Sequence, residues 1–62
     1  MISFKTLDDV YEVLINPGHI IAIIHILESD SWNVTATDHH IYSVSAETAH
    51  YVRSQMLMYF NG

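Results

Sequence analysis

Hydrophobic and polar residues alternate from the start of the chain, with Ile2 and Phe4 on one side and Ser3 and Lys5 on the other. A β-strand points successive side chains to opposite faces, so this segment, Met1 to Leu7, predicts a strand with one buried face. Asp8-Asp9 predicts a tight turn, because aspartate tolerates turn geometry and bonds its own backbone. Tyr11, Val13 and Ile15 form one face of a second strand, with Leu14 on the other. Asn16-Pro17-Gly18 is the strongest break: proline fixes φ and lacks an N–H, while glycine permits positive φ. The run from His19 to Leu27 follows. Its alternate positions are Ile20, Ala22, Ile24 and Ile26 on one face and Ile21, Ile23, His25 and Leu27 on the other. Both faces are apolar and β-branched residues dominate, which predicts a central strand. After a polar turn at Glu28–Ser31, Trp32, Val34 and Ala36 alternate with Asn33, Thr35 and Thr37. Asp38-His39 is a hairpin turn, and His40, Tyr42 and Val44 then alternate with Ile41 and Ser43.

The period then changes. Ser45 suits a helix N-cap and Glu47 complements the dipole of the first turn. Ala46 to Phe60 reads as a helix in which Ala49, Val52, Met56 and Tyr59 share one stripe. Met56 to Phe60 is apolar all round: Leu57 and Phe60 flank the stripe beside Arg53, and Met58 lies with Tyr51 and Gln55. Asn61-Gly62 fits a C-terminal stop. The expected architecture is one α+β domain over residues 1–62, an antiparallel β-meander of about five short strands followed by one C-terminal helix packed on one face.

One helix covers one face. Either the sheet curls into a barrel-like shape or a second subunit supplies the other cover, and the apolar surplus at the helix end favours the second. The expected contact surface is Ile21, Ile23 and His25 together with Leu57, Met58 and Phe60. Trp32, opening a strand after a polar turn, is either an interface anchor or a cap on the core.

Composition strengthens the case for company. A chain of 62 residues is marginal alone, and it has no cysteine, which removes disulfides and thiolate metal sites. Half of its residues are hydrophobic. The net charge is −5, with Lys5 and Arg53 the only strong bases, so neither a phosphate backbone nor an anionic membrane is an expected partner. The Ile20–Leu27 run is far shorter than the roughly 20 residues of a transmembrane helix. No basic-then-apolar leader is apparent at the N-terminus, and a cytoplasmic setting is expected. Asn33-Val34-Thr35 matches a glycosylation sequon, which such a setting leaves unused.

Candidate chemistry is sparse. The histidines, His19, His25, His39, His40 and His50, contain no pair at the i, i+4 spacing of a helical zinc motif. His39 and His40 would point to opposite faces. His25 stands out because it lies in the apolar strand; at an interface, its protonation would weaken assembly in acid. There is no Gly-x-Ser-x-Gly elbow and no phosphate-binding Gly-Lys-Ser/Thr loop. Asp8-Asp9 suits a solvated turn better than a catalytic pair. No enzyme activity, cofactor or metal is expected.

The segments Met1-Ile2-Ser3-Phe4, Ile15-Asn16-Pro17-Gly18-His19-Ile20 with Ile23, and Tyr42-Ser43-Val44 resemble the small FlbD-type proteins linked to bacterial flagella and swarming. The resemblance spans nearly the whole chain through an Ile-Asn-x-x-x-Ile core and a hydrophobic pattern. It implies the meander-plus-helix fold more directly than a motility role, and it implies no catalytic residues. Asp8-Asp9 and Asp38-His39 stand where such proteins often carry Asn-Gly or Gly-Lys turns, and the helix here is more apolar.

The expected function is a non-enzymatic, regulatory interaction module that self-associates, as a dimer or larger, and docks on a larger protein. Two alternatives are an inhibitor from a phage or mobile element that blocks a host protein, and a histidine-based metal binder.

Overall fold

Three residues with left-handed backbone set the lengths of the strands: Asp9, Asp30 and His39, with φ of 60°, 53° and 70°. Aspartate and histidine are among the non-glycine residues that adopt this region most readily. The carboxylate of Asp8 accepts from Thr6 Oγ1 at 2.6 Å and from the Val10 N–H at 3.1 Å, which closes the first turn. Asp38 closes a later one by accepting the His40 N–H at 3.1 Å. Both expected aspartate turns therefore form.

The computed structural model describes residues 1–61. Strands β1 (Ile2–Lys5) and β2 (Glu12–Ile15) make an antiparallel hairpin, with Ile2 opposite Ile15 and Phe4 opposite Val13. Strands β3 (Ile20–Ile26), β4 (Ser31–Ala36) and β5 (Ile41–Val44) make an antiparallel sheet in that order, and helix α1 (Ala46–Asn61) follows. Gly62, half of the expected helix stop, lies outside the described residues.

The meander is thus divided in two. Pro17–His19 form a 3-10 turn in which Asn16 Oδ1 accepts the Gly18 N–H at 2.9 Å. This turn carries the chain away from β2, so β2 and β3 do not pair. Gly18 does not use positive φ. Its bareness instead admits Tyr59, whose hydroxyl lies 2.7 Å from where a Cβ would stand. The two sheets meet at one end, where the Leu7 N–H donates to the Ser43 carbonyl at 2.8 Å and Phe4 meets Tyr42 edge-on at 6.0 Å.

The core lies between α1 and the sheets: Ile2 and Phe4 from β1, Ile20, Val34 and Val44 from the larger sheet, and Ala49 and Val52 from the helix. Ser45 Oγ caps α1 by accepting the Thr48 N–H at 3.1 Å. The stripe packs as its spacing predicts over Ala49, Val52 and Met56, whereas Tyr59, its fourth expected member, is half exposed and lies over Gly18 outside the core cluster.

Two expectations about the apolar strand are corrected. It is not central: β4 holds that place, and β3 is an edge. Nor do its residues alternate without interruption. Ile20 pairs with Ala36 and Ala22 with Thr35, so two residues of β3 pass for one of β4 and Ile21 forms a bulge. Beyond the bulge, Ile23 pairs with Val34 and His25 with Trp32. Directly paired residues share a face. Ile20, Ile23 and His25 therefore face the helix, and Ala22, Ile24 and Ile26 face away from it.

Candidate interaction surface

The open face of the larger sheet is uneven. Along β4 and β5 it carries Asn33, Thr35 and Ser43, with Ser43 Oγ donating to Asn33 Oδ1 at 3.3 Å. Along β3 it carries Ala22, Ile24 and Ile26, and Ile24 is 47% exposed. Ile41, 64% exposed, adds a second apolar point on β5. No element of the described fold covers this face.

The backbone of β3 is half-used. The Thr37 N–H bonds the His19 carbonyl at 2.8 Å and the Ala36 N–H bonds the His40 carbonyl at 2.9 Å. Along an antiparallel strand, successive residues direct their N–H and C=O to alternate sides. Thr35, Asn33 and Ser31 therefore bond toward β3, and their partners Ala22, Ile24 and Ile26 bond back. Ile23 and His25 direct their N–H and C=O outward. Among the described residues nothing bonds to them there.

The expected contact residues fall into three groups. Ile21, Leu57, Met58 and Phe60 are exposed, the first at the bulge and the others on the last turns of α1. Ile23 is packed against the core from the helix side. His25 and Trp32 form one stacked unit, with ring centres 3.9 Å apart and planes 7° apart, and His50 meets Trp32 edge-on from the helix at 5.1 Å. Trp32 thus closes the end of the core. His25 Nε2 also contacts Asp30 Oδ1 at 2.6 Å, so an imidazolium there would have a carboxylate partner and would not be buried alone. The bulge at Ile21 explains why the side-chain surface of Ile23 and His25 is turned inward. Sequence alternation missed Ile24 and Ile26 as the residues left open.

A concavity of about 910 Å3 lies where the hairpin splays from β5. Leu7, Tyr11, Leu14, Ile41 and Tyr42 give it apolar walls, and Asp8 and Glu12 give it an acidic side. The Asp8 carboxyl is held below its ordinary range by the Thr6 hydroxyl and then the Val10 N–H. Asp38 is lowered likewise, by the backbone and then the ring of His40.

None of these arrangements sets a nucleophile beside a base. Among the described residues, no three histidine, aspartate or glutamate side chains gather to hold a metal ion. No described helix is long and apolar enough to cross a membrane. No protein-family model, curated protein or solved structure matches the chain.

Proposed function

We propose that the chain works as a small, non-catalytic interaction module in the cytoplasm, which self-associates and docks on a larger protein in a regulatory role. One observation carries the reading: β3 has the composition of an interior strand but occupies a sheet edge, with Ile24 and Ile26 outside the core. Burying a large aliphatic side chain fully is worth roughly 1.5–3 kcal/mol, so a few half-exposed ones can decide whether a 62-residue chain persists alone. The remaining apolar surface, at Leu57, Met58 and Phe60 and around Leu14 and Ile41, is available to a larger partner. The resemblance to FlbD-type proteins makes motility proteins the first class of larger partner to try.

Light scattering across a concentration series tests the first half of the reading. The expected mass is a multiple of the 7.1 kDa chain. A single-chain mass at every concentration overturns self-association.

A further inference from the structure

We infer that two copies of this chain join edge to edge through β3, antiparallel about a two-fold axis at Ile24, to make one six-stranded sheet. The inference rests on the proposed self-association and names its geometry.

The free edges of the molecule are unequal. That of β5 is already engaged at Ser43 by the Leu7 N–H, and those of β1 and β2 are each four residues long and carry Lys5 and Glu12. The β3 edge is seven residues long and has neither a charged carboxylate, a lysine nor a proline to deter pairing. Among the described residues it is blunted by the bulge at Ile21, which interrupts the register before Ala22 and leaves Ala22–Ile26 in regular register.

The outward groups belong to Ile23 and His25, on either side of Ile24. They complement themselves. In an antiparallel pairing centred on Ile24, Ile23 of one copy meets His25 of the other, and each such pair exchanges two N–H···O=C bonds. The axis makes the pair twice, which satisfies every outward group of both residues. Ile24 then faces its own counterpart in a non-hydrogen-bonded position, where side chains approach most closely, and Ala22 faces Ile26. Apolar residues meet apolar residues throughout the open face.

Charge selects the direction. Each chain carries −5, and the β3–β4 turn holds Glu28 and Asp30. Parallel pairing would bring two such turns together. Antiparallel pairing lays each beside the Pro17–His19 turn of the other copy, which has no carboxylate. The resulting strand would be interior, as its two apolar faces require. Both helices would lie on one side of the sheet, and both Ile24–Ile26 faces on the other.

The chain has no cysteine, so one introduced thiol reports the contact without background. Ile24→Cys should oxidise to a disulfide-linked dimer at least tenfold faster than Leu14→Cys, an exposed strand site on β2, at equal concentration. Circular dichroism of both variants checks that each is folded. Amide exchange of the unmodified chain gives a second readout. The Ile23 and His25 N–H groups should become protected as concentration rises, although each faces outward in the single copy. Equal rates for the two cysteine variants, with fast exchange of both amides at every concentration, overturn the inference. If the solution mass is then still a multiple of one chain, self-association stands and uses another surface. If the mass is that of one chain, both readings fall together.

Discussion

Strands β3 and β4 lie side by side and pair along nearly their whole length, yet they meet solvent in opposite ways. β4 is bonded on both edges and shows Asn33 and Thr35 on its open face. β3 is bonded on one edge and shows Ala22, Ile24 and Ile26 there. On the helix side they are alike: Val34 is fully buried, and Ile23 packs beside it. A strand that is apolar on both faces asks for cover on both faces. It need not stand centrally within its own chain, because that cover can come from outside.

The two strands differ most at Val34. The whole fold, at 62 residues, is worth about 3–9 kcal/mol by the usual stability per residue. An unpaired carboxylate at the fully buried centre of β4 belongs to the class of changes exceeding about 4 kcal/mol. Val34→Asp should therefore abolish the cooperative unfolding transition seen by circular dichroism or lower the stability it reports by more than about 4 kcal/mol. The same change on the neighbouring strand should act elsewhere. Ile24→Asp should cost the single copy only about 1 kcal/mol in urea, the span of strand preferences, while reducing the scattering mass to that of one chain. A folded Ile24→Asp protein that keeps the parental mass would remove the distinction between the two strands.

Smaller effects are expected at the helix cap, the turns and Thr35. Ser45→Ala removes the cap of the helix that covers the inner face and should lower stability by about 1 kcal/mol in urea. The scattering mass should be unchanged where the protein remains folded, since the open face is untouched. Acid should act through the turns. Asp8 and Asp38 are held below their ordinary value of 3.8 by hydrogen bonds. A lowered folded-state pKa contributes stability that is complete above the unfolded value and is lost as pH falls through the folded one. Urea midpoints should thus decline below about pH 4, and Asp8→Asn should flatten that decline. The smallest change concerns Thr35, whose buried Oγ1 has no hydrogen-bond partner among the described residues. Thr35→Val should raise the urea midpoint slightly, by less than about 1 kcal/mol.

Much of the fold is legible where the chemistry is local. Asp8, Asp38 and Ser45 act on backbone groups within three residues of themselves, and each does what its type suggests. The α1 stripe is legible for the same reason: Ala49, Val52 and Met56 need only the helical period to share a face. Three features escape. The division into two sheets turns on how Asn16–His19 coil, and a proline-glycine break marks a turn without giving its direction. The edge position of β3 depends on which strands pair, which its own composition does not record. The bulge at Ile21 is silent because its neighbours, Ile20 and Ala22, are both apolar. A slip of one residue exchanges the faces of a strand, and it shows in a sequence only where those faces differ. That slip is why Ile23 and His25, expected in the contact surface, face the helix, while Ile24 takes the open position.

Ile21 therefore sets the parity of everything after it. Any residue that spans the bulge can stand there, since its side chain is not part of the core cluster. Its removal is another matter. With one residue fewer, either Ile20 would be carried out of the core or Ile23 would leave the helix side. The position should tolerate exchange and resist deletion, and a lineage of such chains would drift freely in identity at this point while keeping its count.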